Sequence, residues 1–435
     1  MPRVWAGDSA NSANANLTST IDARIEQWLP GWLALYRDLH SNPELSLQES
    51  ASAAKIAGHL KGAGFTVTAG VGGHGVVGVL ENGAGPTVMI RGDMDALPIT
   101  EETDLPHRST RTVEKPDGTR VGVMHACGHD VHQTCLVGTA ATLASMRDAW
   151  SGTLLIVAQP AEEIGVGALA MINDGLFGRF PKPDVCLALH VSSSQPAGTV
   201  AYTPGWALAN VDSVDITIHG RGGHGSRPHE TVDPIVTAAH VIVALQTVES
   251  RRLDPLEPGV ITVGSVHAGS KHNIIPNTAE LQITVRSYAE ESRRVLLDGI
   301  REVTLNICRA MGCPKDPDVM VRSGEFTPAT YNDPALTRDA AAVLADVLGA
   351  EHVVEIKPVM GGEDFGRFPK HLNVPGLIFW LGAVPRELYD ASLKPDGPRL
   401  PPIHSSTFAP DPEPTVATGV RSMSALAISR FRRER

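Results

Sequence analysis

Apolar residues recur at helical spacing over Ile21–Leu39 and Ser50–Leu60, and the second run ends at Gly62 and Gly64, which suit a helix C-terminus. The pattern then shortens. Val76–Leu80, Thr87–Ile90, Leu154–Ala158 and Val185–Leu189 are brief, largely apolar runs that read as buried strands. Helical patterns at Val131–Ser145 and Ala168–Asn173 fall between them, so this part of the chain predicts an α/β layer architecture. From Val211 the order changes: an alternating strand (Val211–His219), a helix (Val232–Glu249), two strands (Gly259–His267, Ala279–Ser287), a helix (Glu290–Met311) and a short last strand. That β-α-β-β-α-β order predicts a ferredoxin-like α+β unit inserted into the larger domain. The α/β pattern resumes with a helix near Pro334–Leu348, a strand at Leu377–Leu381 and a closing helix near Thr415–Phe431.

At 435 residues the chain exceeds what one core usually organises, which agrees with two domains. The expected division is a disordered leader over residues 1–18, a first part of the larger domain over 19–202, the inserted unit over 203–323 and a second part of the larger domain over 324–435. Composition is that of an ordinary globular protein, 42% hydrophobic and 20% charged, with no apolar run of the roughly 18 residues a membrane span needs. A membrane is not an expected partner. The opening MPRVWAGDSANSANANL lacks the apolar stretch of a signal peptide. Five cysteines, an odd number without a CxxC pair, make a poor disulfide framework and point to a reducing, cytoplasmic setting. A net charge of −11 opposes nucleic-acid binding, and basic residues cluster only at Arg430, Arg432, Arg433 and Arg435. Seventeen histidines, several beside Gly, Cys, Asp or Glu, turn attention to metal chemistry.

Ligands of open α/β sheets sit beyond the carboxyl ends of the strands, so the polar residues that follow apolar runs matter most. Val88–Ile90 leads into Arg91-Gly-Asp93-Met-Asp95, Leu154–Ala158 into Gln-Pro-Ala-Glu162-Glu163, and Val185–Leu189 into His190. A fourth group, His125-Ala-Cys127-Gly-His129-Asp130, packs two imidazoles, a thiol and a carboxylate into six residues. Taken alone, His190 reads as a hydrogen-bonded loop histidine and Glu162-Glu163 as a solvated helix start. Together, at successive strand ends, they describe a site for one or two divalent ions. Cys135, Cys186, Cys308 and Cys313 have no such company and read as small buried residues. Two glycine-rich stretches, Gly70–Gly75 and Gly220–Gly225, fit GxGxxG, but neither opens directly into a helix, so no nucleotide cofactor follows.

The whole set of motifs resembles the amidohydrolase branch of the aminoacylase and zinc-carboxypeptidase family, which includes hippurate hydrolases, bacterial N-acyl-amino-acid amidohydrolases and plant auxin-conjugate hydrolases. The matching segments are Arg91–Pro98 (RGDMDALP), Met124–Asp130 (MHACGHD), Gln159–Glu163 (QPAEE), Leu189–Val191, Gly222–His229 (GGHGSRPH), Asn273–Pro276 (NIIP) and Gly361–Phe365 (GGEDF), in family order across nearly the whole chain.

The resemblance implies a metallopeptidase-like α/β catalytic domain with an inserted ferredoxin-like dimerisation, or lid, domain. It implies Zn, Mn or Co held by Cys127, as the bridging ligand, with His129, Glu163, His190 and His404. Glu162 would be the general base and Asp95 an outer carboxylate orienting the centre. His224 would stabilise the tetrahedral oxyanion, and Asn273, Arg286, Gly361 and Gly362 would bind the substrate. Asp93 departs from the wider family, in which many relatives carry a ligand histidine there. Ile164-Gly-Val166 replaces a more glycine-rich stretch and would narrow the acyl pocket. The implied reaction is hydrolysis of an N-acyl amino acid by a homodimer or larger homo-oligomer in which His224 serves the partner's active site. A dipeptidase or carboxypeptidase on the same scaffold is the alternative within enzymes, and a non-catalytic binder of acyl-amino acids the alternative outside them.

Overall fold

A computed structural model of the chain describes residues 7–115 and 118–431. The chain divides into two compact units: Met1–Ala207, Tyr331–Lys357 and Phe365–Arg435 form the first, and Leu208–Thr330 with Pro358–Asp364 the second.

The first unit is built on an eight-stranded sheet. Across it run Thr66–Val71, Gly75–Asn82, Gly152–Gln159, Thr87–Asp93, Val185–Pro196, Gly376–Val384, Val200–Tyr202 and Val353–Glu355. The four central strands, from Gly152–Gln159 to Gly376–Val384, are mutually parallel, and the two strands before them join antiparallel. Every residue of Gly376–Val384 is buried, as expected of a strand covered on both faces, and this is why such strands read as unbroken apolar runs. The helices Gly7–Ser41, His129–Ser145 and Pro412–Phe431 pack against one another, with Tyr36, Leu143, Val420 and Leu426 in the same core as Ile90 and Ile156. Parallel strands bring their carboxyl ends to one edge. The pairing sets Asp93 opposite Gln159 and Arg91 opposite Ala188, so His190, two residues on, is level with Asp93.

One expectation changes here. The segment expected as a disordered leader is already helical from Gly7, within Gly7–Ser41, and residues 1–6 lie outside the described residues. The reason lies in its end: Leu17 packs against the core and Ile21 is fully buried, one turn apart, so the helical stripe begins earlier than the obvious pattern. Thr66–Val71, Val200–Tyr202 and Val353–Glu355 had no clear pattern because they are half-exposed or three residues long. The Gly70–Gly75 stretch is the turn of a hairpin, where Gly72 and Gly73 have φ of 65° and 106°.

The second unit is a four-stranded antiparallel sheet in the order Gly259–Ala268, Thr278–Ser287, Asn210–His219, Asp318–Val321, the arrangement of a ferredoxin-like fold. Residues of Asn210–His219 alternate strictly between buried and half-buried. Its inward face, Val214, Ile216 and Ile218, shares a core with Val241 and Leu245 of the helix Pro234–Arg252 and Leu296 and Ile300 of the helix Glu290–Ala310. The helix expected from Val232 starts at Pro234 because Asp233 caps it, accepting from the Ile235 and Val236 amides at 2.9 and 3.4 Å. Residues 358–364, expected in the second part of the larger domain, group with this unit. Leu208 bridges to Val359, and the Ala209 amide donates to Gly361 O at 2.9 Å.

Candidate metal centre

The candidate donors of the first unit come from a strand interior, one helix start and the turns beside them. Asp93 ends its strand, and Asp95 follows two residues later. His190 lies within Val185–Pro196, and His129 opens the helix His129–Ser145. Gly128, just before that helix, has φ of 74°, and a Cβ there would stand 2.5 Å from Val191 Cγ2, so only glycine lets the Cys127–His129 turn approach the His190 strand. His404 also has a positive φ, 63°, and its amide donates to Ala126 O at 2.8 Å, which ties it beside Cys127.

Cys127 stands between two imidazoles. Its Sγ is 3.5 Å from His190 Nε2 and 3.3 Å from His404 Nε2. Two donor sets share it: Cys127, His129 and His190 in one, Cys127, Glu163 and His404 in the other, each with ligand atoms within 4.8 Å of one another. A third set joins His129 to Glu162 and Glu163, whose oxygens lie 4.0 and 3.8 Å from His129 Nε2.

Outer residues fix these rings. His190 Nδ1 is 2.8 Å from Val191 O; a carbonyl only accepts, so Nδ1 carries the proton and the Nε2 lone pair turns to Cys127. The Val191 amide donates to His132 Nε2 at 2.8 Å, which places the His132 proton on Nδ1, and that proton is donated to Asp93 Oδ1 at 2.6 Å. The other Asp93 oxygen takes the fully buried Arg91 guanidinium at 2.7 Å. Burial alone would raise the Asp93 pKa, but Arg91, His129 and His132 hold it well below the usual carboxylate range. Asp93 is therefore a buried carboxylate whose two oxygens are both engaged. Asp95, near His129 Nδ1 at 3.4 Å, accepts from Ser46 Oγ at 2.6 Å and from the amides of Glu162 and Glu163 at 3.1 and 3.0 Å.

A divalent ion suits these donors. His129 Nδ1 has Asp95 beside it, but His129 Nε2 and Oε1 of Glu163 are buried without a hydrogen-bond partner, an arrangement that costs about 1–3 kcal/mol for each group unless something ligates it. Burial, followed by Glu163, Glu162 and Asp93, pushes the Cys127 thiol well above its ordinary range. Burial also raises Glu163 to about 7, with Asp95 and Asp93 adding to the rise. These groups favour protonation only while no cation sits among them, and a metal reverses that preference.

The sequence profile of Peptidase family M20/M25/M40 matches residues 89–396, most of the chain and the segment holding all these donors except His404. The chain belongs to this family. Thermostable carboxypeptidase 2 of Saccharolobus solfataricus is 37% identical over 408 residues, covering 93% of this chain and 95% of the relative. An N-acetyldiaminopimelate deacetylase of Streptococcus thermophilus is 34% identical over 371 residues, covering 84% and 93%. The solved structure of the Bacillus subtilis YXEP protein, described as a dinuclear metal binding peptidase of the M20 family, matches with a TM-score of 0.75 and 28% identity over 93% of this chain and 99% of that one. The chain is accordingly a metal-dependent amide hydrolase of the M20 family, and the resemblance to the amidohydrolase branch holds. Among the described residues no helix is long and apolar enough to cross a membrane.

The remaining expected site residues belong to the second unit and form two separate groups within it. His224 is exposed, pairs with Ile274 in a two-residue ladder and accepts from the Ser226 amide at 3.1 Å; the Gly225 amide donates to Asn273 O at 2.9 Å, so Asn273 lies alongside. Arg286 is half-buried, its Nε donating to Thr284 Oγ1 at 3.1 Å. Gly362 lies beside it: a Cβ there would be 2.4 Å from Val211 Cγ2 and 3.3 Å from Arg286 Nη1, and Gly361 precedes it. Three residues that the pattern did not single out, Ser46, Glu49 and His132, complete the first unit's site, and Gln159 of the QPAEE segment accepts from Arg91 Nε at 2.9 Å.

Proposed function

We propose that this hydrolase cleaves the amide bond of an N-acyl amino acid to a carboxylate and a free amino acid. The observation that carries the reading is the pairing of unsatisfied donors, His129 and Glu163, with a second carboxylate, Glu162, at their side. One or two divalent ions such as Zn, Mn or Co would be held by Cys127, His129, Glu163, His190 and His404, and would supply a Lewis acid for the carbonyl and a lowered pKa for water. Glu162 takes the proton of the attacking water and returns it to the departing amine. Asp95 holds the Glu162 and Glu163 amides and lies beside His129, so it orients both roles from outside the centre.

The second unit's residues take their roles from the family resemblance. Arg286 holds the α-carboxylate, its guanidinium half-buried with the open backbone of Gly361 and Gly362 next to it, and Asn273, which stands in the His224 group, would join it from the partner subunit along with His224. His224 donates to the oxyanion. It does so in a homodimer, for the active site of the partner subunit, and its exposure leaves it available for that use. The deacetylase relative favours an acyl group on nitrogen. Thermostable carboxypeptidase 2 favours a peptide, which is the second reading. Rates measured side by side on N-acetyl or N-benzoyl amino acids and on dipeptides, with added zinc, manganese or cobalt, separate the two. Faster turnover of dipeptides under every metal overturns the first reading.

A further inference from the structure

The turn that carries Glu162 and Glu163 is anchored by residues that are not among the donors. Its first residue, Ala161, is fully buried with φ of 51°, a left-handed conformation that a residue with a Cβ avoids. Its amide donates to Glu49 Oε1 at 2.8 Å, and the next two amides donate to Asp95. Three successive N–H groups thus end on two buried carboxylates. Glu49 Oε1 also accepts from the Leu47 amide at 3.0 Å, and Leu47 is a second left-handed residue, with φ of 67°.

An ordinary structural role for Glu49 would be to cap the helix Ser50–Gly62, which it immediately precedes. Its side chain makes no such bond; Glu44 takes the Ala51 and Ser52 amides instead, at 3.0 and 2.8 Å. Glu49 is 0% exposed, and its other oxygen, Oε2, is buried with no hydrogen-bond partner. Burying a carboxylate in this way is costly, and only one of its two oxygens recovers any of that cost. The recovered part goes to the backbone directly before Glu162.

We propose that Glu49 is a positioning residue that holds Ala161 in its left-handed conformation and thereby sets where Glu162 and Glu163 stand. This rests on the reading of Glu162 as the base and Glu163 as a metal donor. Because the oxygen is used only as an acceptor, Glu49→Gln retains the contact while Glu49→Ala removes it. Glycine adopts positive φ without the Cβ penalty, so Ala161→Gly lessens the need for the anchor.

The test is a cycle of Glu49→Gln, Glu49→Ala, Ala161→Gly and the double variant Glu49→Ala/Ala161→Gly in the full chain. It reads kcat, KM, the zinc dissociation constant and the melting temperature. Glu49→Ala is expected to lower kcat by about 10–100-fold with KM little changed, the scale of a small misplacement of reacting groups, and to weaken zinc binding. Glu49→Gln retains wild-type kcat, and the double variant recovers most of the loss. Should Glu49→Ala fail to fold, Glu49→Asp, which withdraws the carboxylate by one methylene, takes its place. Equal kcat and zinc affinity in folded Glu49→Ala overturns the proposal, and so does a double variant no better than Glu49→Ala. If Glu162→Gln proves active in the same assay, the base assignment fails, and zinc affinity through Glu163 still decides the role of Glu49.

Discussion

His132 places its Nδ1 2.6 Å from Asp93 Oδ1, with both side chains wholly buried. His132 also receives the Val191 amide, and His190 is bonded to the carbonyl of the same Val191, so the pair governs how the His190 ring faces Cys127. His132→Ala is expected to weaken metal binding about 10–100-fold and to destabilise the fold by on the order of 1–3 kcal/mol, because Asp93 and the Val191 amide each lose a partner. Isothermal titration with zinc and a thermal melt check the two numbers. Unchanged zinc affinity would mean that the relay does not orient His190.

Cys127 belongs to both donor sets, so its loss affects both at once. Cys127→Ala is expected to lower bound metal more than His190→Ala or His404→Ala, each of which strips one set. Elemental analysis of the three variants after dialysis ranks them. A cobalt-substituted protein is expected to show a thiolate-to-metal absorption band that Cys127→Ala abolishes.

Behind the site, His40 joins Asp130 at 2.7 Å and Glu101 at 3.0 Å in a buried ion-pair network. Burial works against the imidazolium, but Asp130 and Glu101 raise the His40 pKa to about 10. The folded value exceeds the unfolded one of about 6.5, so the stability it contributes is fully present below about pH 6.5 and is lost as the pH rises to about 10. The slope in that window is at most about 1.4 kcal/mol per pH unit. Melting temperatures recorded from pH 7 to pH 10, at fixed metal content, are expected to fall more steeply for the wild type than for His40→Gln.

His224 acts in the transition state under the proposed function, so His224→Ala is expected to lower kcat by about 10²–10³ without loss of metal. After subunit exchange with Glu162→Gln protein, hybrid dimers carry one site with both residues intact and should regain activity that neither parent has. If exchange is demonstrated and activity does not return, His224 does not serve a partner subunit.

The fold was legible where local signals agreed. Asp333, Pro334 and Gly349 bracket the helix Pro334–Leu348, and its ends match the expected ones. The strict alternation of Asn210–His219 marks a half-covered sheet, and the apolar runs before Asp93, Glu162 and His190 mark strands whose ends share one edge. Short edge strands carry too few residues for a period, and the opening helix begins among Ala, Asn and Ser that look like a flexible leader. In the site, the candidate donors drew notice in the sequence because thiol, imidazole and carboxylate follow successive apolar runs, and the structure brings them within reach of one another. Their supports were not, since Ser46 and Glu49 come from a loop more than thirty residues away, Ser46 donating its hydroxyl to Asp95 and Glu49 accepting from the Ala161 amide. Two signals were present for the others. Arg91 and Asp93 stand two apart in a strand and so share a face, and His132 lies one helical turn after His129.

The most direct measurement is metal content and turnover in the same preparations of Glu162→Gln and Glu163→Gln. Gln preserves the shape of Glu162 while removing proton transfer, so Glu162→Gln should keep its metal and lose about 10²–10⁴-fold in rate on an N-acyl amino acid. Glu163→Gln should instead bind less metal, and its residual rate should follow its residual occupancy. Metal lost from Glu162→Gln but kept in Glu163→Gln, or wild-type turnover by Glu162→Gln, would contradict this account.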